Sequence, residues 1–224
     1  MEGSEIAEAK TFIDGHEYVD LGLPCGVLWA TYNVGASRPE EYGDYFAWGE
    51  TQPKETYNTS SYKHCKENMN SLTKYCASVV NGHWGFKDGL LELFPEDDAA
   101  TANWGGKWKM PTIGDCLNLV DSEFTTTEWT TLNGVYGRKI TSKSNGRSIF
   151  LPAAGYRFST CLDGVGQHGS YWTSELRIDA RIMPLSYEAR MLRISAASAD
   201  YDINMWKNCY REYGLSVRPV CYQD

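Results

Sequence analysis

Two Asn-Gly dipeptides constrain the fold of this chain more than any other feature. Asn133-Gly134 and Asn145-Gly146 are strong hairpin signals, because turns that match the twist of paired strands need positive φ at their centre. From Glu123 onward the apolar period is two, with Tyr136 to Thr141 between the dipeptides and Ser148 to Leu151 after the second. That pattern predicts an antiparallel meander. Upstream the period is helical. Met110-Pro111-Thr112 opens a helix with Thr112 as N-cap, and Asp115 completes a capping box with a shorter carboxylate. Ile113, Cys116, Leu117 and Val120 fall at i, i+3, i+4 and i+7 and predict one core-facing stripe. Glu96 to Trp104 reads as a shorter helix. Asp97 and Asp98 stand at its positive end as caps and dipole partners, and Gly105-Gly106 stops it. Two short helices before a run of antiparallel strands define an α+β class.

The remaining elements are read with less pattern to guide them. Residues 1–15 are expected to be a tail. His16 to Leu21 alternates and predicts a first strand, Val27 to Val34 a second, and the aromatic stretch Tyr42 to Gly49 a short third. Glu50 to Phe94 is polar and aperiodic. It predicts a long loop with one turn of helix, and a loop of that length inside a domain is commonly functional or packed by its own side chains. No Pro-rich, Ser/Gly-rich or single-sign charge run acts as a linker, so residues 16–224 are expected to form one domain, large enough to bury a core without staples.

Composition narrows the function classes. A formal charge of −8 disfavours a nucleic-acid partner, since phosphate binding needs a basic footprint. Eight Trp and fifteen Tyr suit a strand-rich core and also suit recognition. Seven cysteines form no C-x-x-C pair, and the histidines are not spaced beside them as metal ligands. Neither a metal nor a cofactor is expected. Cys65 and Cys76 flank one loop and are either bridged or free thiols. No apolar run is long enough to span a membrane, so membrane insertion of the domain is not expected. The polar start Met1-Glu2-Gly3-Ser4 is no leader, and a replaced leader would leave such a start too.

The C-terminal fifty residues carry the most varied chemistry. Gly169 to Ser174 and Leu215 to Val220 read as strands, with Met191 to Ser195 and Asp202 to Trp206 as further strands between them. The rest of Glu175 to Tyr213 mixes Arg, Met, Tyr, Asp, Asn and Trp without period. A patterned frame around an unpatterned insert points to a displayed binding surface. The candidate contact residues are Arg181, Met183, Tyr187, Arg190, Arg193, Tyr201, Asn204, Trp206, Asn208 and Tyr210. They combine ring faces, forked donors and adaptable amides. If Asp202 to Trp206 is a strand, Tyr201, Ile203 and Met205 share one face, and Asp202, Asn204 and Trp206 the other. One face is core, and Trp206 is either core or contact. Arg211 and Arg218 are expected to belong to the scaffold. The prediction is a mixed aromatic and basic patch on an acidic protein.

Several long motifs stand in order along the chain. They are Tyr18-Val19-Asp20-Leu21-Gly22-Leu23-Pro24, Leu28-Trp29-Ala30-Thr31, Tyr42-Gly43-Asp44-Tyr45-Phe46-Ala47-Trp48-Gly49-Glu50, Asn103-Trp104-Gly105-Gly106-Lys107-Trp108-Lys109-Met110-Pro111-Thr112, Leu151-Pro152-Ala153-Ala154-Gly155-Tyr156-Arg157, Tyr171-Trp172-Thr173-Ser174 and Ser216-Val217-Arg218-Pro219-Val220. Together, over residues 16 to 221, they resemble the Fibrobacter succinogenes major paralogous domain common in gut Bacteroidetes. The resemblance implies a C-type lectin-like fold: two helices and a small twisted antiparallel sheet, with long loops displaying a binding face. It also implies a secreted or cell-surface location. The ends of the 170–220 segment are similar to those of variable proteins of diversity-generating retroelements, which share that fold and have a C-terminal segment rewritten at selected codons. Arg177, Asp179, Arg181, Met183, Arg190, Arg193 and Met205 depart from the Tyr, Ser, Asn and Gly usual in the paralogous family. Rewriting and plain divergence both produce such a departure.

The expected function is therefore a non-catalytic, surface-displayed receptor or adhesin module for a protein or glycan. The alternative is a structural piece of a surface assembly. An enzyme of the formylglycine-generating type would act through cysteines such as Cys209 and Cys221, whose surroundings differ from that enzyme's motifs. The chain has no G-x-S-x-G, H-E-x-x-H or P-loop. Glu-Pro-Asn and Gln-Pro-Asp are absent too, and Gln52-Pro53-Lys54 places a cation where calcium needs an oxygen ligand. Glycan binding without calcium, by stacking on Trp or Tyr, stays open.

Overall fold

The computed structural model describes residues 10–177, 186–196, 199–201 and 209–223. The chain opens with β1 (Thr11–Ile13), β2 (His16–Asp20) and β3 (Val27–Ala30). Residues 1–15 are thus not all tail. Asp14 (φ 49°) and Gly15 (φ 83°) form a two-residue turn that folds β1 onto β2, an Asp-Gly signal of the same kind as Asn-Gly. The predicted second strand stops at Ala30. Tyr42 to Gly49 is not a strand: only Phe46 bridges, to Leu215.

Residues 50–94 form the expected long loop, with 3-10 turns at Thr59–Ser61 and His83–Gly85. Pro95–Asp97 is a third such turn and α1 (Ala99–Trp104) follows, so the first predicted helix splits in two. Asp98 is the N-cap of α1 and accepts from Thr101 N–H at 3.0 Å. The helix α2 (Ile113–Val120) has the Thr112–Asp115 capping box. Its buried residues are Asp115, Cys116 and Leu119. Leu117 was expected on the core stripe and is only half-buried, because the buried stripe lies nearer Cys116 and Leu119.

The meander follows as β4 (Thr125–Leu132), β5 (Val135–Ser142) and β6 (Ser148–Pro152). Asn133 (φ 48°) and Gly134 (φ 83°) make the first turn. The second connection spans five residues, 143–147, with Gly146 alone at positive φ (75°). The strands β7 (Tyr156–Phe158) and β8 (Cys161–Asp163) form a hairpin, and β9 (His168–Leu176), β10 (Ala189–Ser195) and β11 (Ala199–Tyr201) come next. The last strand is β12 (Val220–Tyr222) rather than Leu215 to Val220.

The sheets run β1-β2-β3-β12, β4-β5-β6, β11-β10-β9 and β7-β8, all antiparallel. The described residues are α+β, with small antiparallel sheets and two helices. One core cluster joins Trp48, Trp172, Met191 and Val217. Another joins Trp29, Cys116, Ile140, Tyr171 and Ile194, so β3, α2, β5, β9 and β10 share it. No disulfide joins any of the seven cysteines, and Cys65 and Cys76 are unbridged thiols. No described helix is long and apolar enough to cross a membrane.

Candidate functional site

The two ends of the C-terminal segment are tied to each other. Trp172 N–H donates to Ser216 C=O (3.1 Å) and Ser216 N–H to Ser170 C=O (3.2 Å), a parallel bridge between Tyr171 and Ser216. Tyr171, Trp172, Thr173 and Ser174 are all buried. Trp172 Nε1–H donates to Phe46 C=O at 2.7 Å, and Trp48 Nε1–H to Thr173 C=O at 2.8 Å. Indole N–H groups usually find a partner when buried, and here the partners fix the frame strand against the 45–48 segment.

Both expected scaffold arginines are fully buried. Arg218 donates to Asn33 Oδ1 (2.8 Å), Ala30 C=O (3.2 Å) and Phe150 C=O (3.0 Å). Burial lowers its pKa to about 10, which leaves it charged at neutral pH. Arg211 donates to Tyr62 Oη (2.9 Å), Tyr75 C=O (3.0 Å), Ser186 C=O (2.8 Å) and Lys74 C=O (3.0 Å). Its guanidinium lies 4.9 Å from the Trp48 ring centre. One side chain thereby gathers the polar 62–75 loop against the insert at Ser186. Hydrogen bonds from a charged donor to buried carbonyls are stronger than neutral ones.

Within the insert, residues 187–189 run against 209–211. Ala189 N–H donates to Cys209 C=O (3.1 Å) and Arg211 N–H to Tyr187 C=O (3.0 Å). That pairing sets the Tyr187 and Tyr210 rings 6.0 Å apart. Rings then follow one another across distant parts of the chain. Tyr210 meets Tyr213 edge-on at 5.3 Å, Tyr213 meets Tyr156 at 5.7 Å, and Tyr156 meets Phe158 at 5.9 Å. The four tyrosines are half-buried and Phe158 is exposed, so the run has a packed side and an open side. Burial raises the pKa values of Tyr156, Tyr187 and Tyr213. Their hydroxyls therefore stay neutral, able both to donate and to accept.

Arg193 stands on β10 opposite Ser170, close enough for its charge to act on Tyr156. The β9–β10 register shifts between Ala189 and Met191. Arg190 occupies that bulge, a device that re-aims a side chain. Tyr201 ends β11, paired with Leu192. Arg181, Met183, Asn204, Trp206 and Asn208 lie outside the described residues, as does the predicted strand Asp202 to Trp206. Arg177, one of the departures from the family pattern, is paired internally with Glu188 at 2.8 Å.

The structure thus brings Tyr187, Tyr210 and Arg193 to one aromatic run, and adds Tyr156, Tyr213 and Phe158, which the sequence did not single out. The alternation Tyr156-Arg157-Phe158 and the i, i+3 pair Tyr210 and Tyr213 are the signals that were there to find.

Other candidates take structural places. Burial would raise the Asp97 carboxyl, but hydrogen bonds from Lys63, Lys74 and Tyr75 outweigh it and hold the pKa at about 2. Asp97 is therefore more than the dipole partner expected: it anchors the long loop to the first helical segment. Cys209 packs in the cluster with Trp172 and Met191, and Cys221 in another with Leu28, Ala30 and Trp108. Among the described residues no group of three or more His, Cys, Asp or Glu could hold a metal. Comparison of the chain with family models, curated proteins and solved structures gives no match.

Proposed function

We propose that this chain is a surface-displayed, non-catalytic binding module of the Fibrobacter succinogenes paralogous type. It has a C-type lectin-like fold, and its 170–220 segment presents the face, diversified by a retroelement, that meets a protein or glycan. The observation that carries this reading is the closed base of the insert. Strand β9 is bonded to Ser216 at the segment's two ends, so the residues between can vary without opening the frame. A half-buried aromatic run with neutral hydroxyls and a nearby guanidinium supplies contact area at low ordering cost.

Protein and glycan arrays probed with the whole chain test the reading. Binding is expected, and Arg193→Ala and Tyr210→Ala should each weaken it about tenfold or more while the thermal melt stays cooperative. Loss of the melt together with binding would make the two residues core. Sequencing the gene across cells of its source population tests diversification. A near-copy of its 3′ end differing only at adenines, beside a reverse transcriptase, is the expected result, and an invariant gene without such a copy would sink it.

A second reading, a piece of a surface assembly, is favoured by one observation. Trp84 is 95% exposed at φ 53°, on a loop that also exposes Val79, Val80 and Phe86. Silent arrays, together with photo-crosslinking from position 84 to a neighbouring surface protein, would establish that reading instead.

A further inference from the structure

The strand β4 leaves a hydrogen-bonding edge open. Lys143 N–H donates to Phe124 C=O at 2.9 Å, and the register runs from Thr125–Ser142 to Leu132–Val135 without a shift. Antiparallel ladders alternate, so residue 124 and every second residue after it turn N–H and C=O toward β5. Thr127, Trp129 and Thr131 turn theirs outward. Thr125 belongs to the same outward set, and its N–H is taken by Asp121 C=O at 3.0 Å. Among the described residues no backbone group bonds to the outer side of Thr127, Trp129 or Thr131.

Folded proteins usually blunt such an edge with short strands, Pro, Lys, a bulge or a covering segment. Other outer strands here are treated that way. β1, β11 and β12 have three residues each. β9 is bonded on its outer side by Leu91 and Leu93, and Phe150 C=O on β6 is taken by Arg218. β4 has eight residues and no Pro, Lys or bulge, and its one charged side chain is Glu128. Five of the eight are Thr, a β-branched residue that favours extended pairing.

We propose that β4 pairs antiparallel with β4 of a second copy, across a two-fold axis through Trp129. Two three-stranded sheets would then become one sheet of six strands. The outward set, Thr127-Trp129-Thr131, reads the same in both directions, which is what a two-fold requires of a strand pairing with itself. This register sets Thr127 opposite Thr131, Trp129 opposite Trp129 and Glu128 opposite Thr130. Thr–Thr and aromatic pairs across strands are favourable. Moving the axis to Glu128 would oppose two carboxylates, so charge selects the Trp129 register. The inference is independent of what the C-terminal segment binds.

Sedimentation of the whole chain in reducing buffer tests the proposal. The expected mass is twice the 25.2 kDa of one chain, with slow amide exchange at Thr127, Trp129 and Thr131. Thr131→Pro removes an outward N–H and leaves the β5 ladder untouched. It should raise the dimer Kd about tenfold or more with an unchanged circular dichroism spectrum. Thr131→Lys, which keeps the N–H and places a charge at the edge, should do the same and serves if the Pro variant misfolds. A wild-type monomer at 100-micromolar-range concentration (about 10⁻⁴ M, a weak-affinity limit) would overturn the proposal. So would a dimer indifferent to both variants, or one that exists only without reductant, which would be a disulfide through the exposed Cys161.

Discussion

At the scale of single residues, Arg211 does most to make the polar loop and the insert one structure. Its donors reach Tyr62, the adjacent pair Lys74 and Tyr75, and Ser186, three separate stretches of the chain. Lys in its place would keep the charge but lose the planar fork that spans those oxygens. Arg211→Lys is therefore expected to cost about 2–4 kcal/mol, or roughly 5–12 °C in Tm, read by calorimetry. An unchanged Tm would mean the carbonyls find other donors. The role of Arg211 was legible only in outline: a charge near the final strand suggests internal pairing, but nothing local names its partners. Asp98 was legible because capping is a local code. Asp97 looked like its twin and is not, since Lys63 and Lys74 come to it from a loop without period. The aromatic run was half legible for the same reason. Tyr187 and Tyr210 lie inside the unpatterned segment that drew attention, whereas Tyr156 lies outside it, in the Leu151–Arg157 motif.

At the scale of elements, legibility followed periodicity. The meander and the α2 capping box are visible because alternation, Asn-Gly and Thr-x-x-Asp act over a few residues. The order inside the loop of residues 50–94 is not visible, because it comes from side chains bonding to backbone. Asp88 accepts from the N–H groups of Tyr75, Cys76 and Leu90. Asn81 donates to Asn70 and accepts from Ser186 N–H. Such contacts leave no period in sequence. The tightest point in this loop is Gly82, where an added Cβ would meet Phe86 C=O at 1.7 Å. Gly82→Ala must push that turn apart and is expected to cost about 1–3 kcal/mol. Amide exchange should speed up through residues 72–90 while the β4–β6 amides stay protected. Equal loosening of both regions would show that the loop and the meander unfold as one unit.

At the scale of the whole molecule, buried titratable groups make stability depend on pH. His64 is 4% exposed, and its Nε2 lies 3.0 Å from Gly49 C=O, to which the neutral ring donates. Burial lowers its pKa to about 4, against an ordinary value near 6.5. The unfolded chain therefore binds a proton there that the folded chain refuses. The stability from this group is full above pH 6.5 and is lost as pH falls toward 4, about 3 kcal/mol in all. Asp97 works the same way in a lower window, its contribution fading from about pH 4 to about 2. Asp98 and Glu212 act in the opposite sense. Burial raises both carboxyls, so their ionisation opposes folding and that penalty is relieved on acidification. Between pH 6.5 and 5 the fall in Tm should come mainly from His64, with His16, whose pKa burial also lowers, adding in the same sense. His64→Gln, which keeps a donor for Gly49 and removes the titration, is expected to flatten the Tm curve there. A slope unchanged by that substitution would place the proton uptake elsewhere. A flattened slope would show that the long loop is held to the frame strongly enough to set the acid limit of the entire fold.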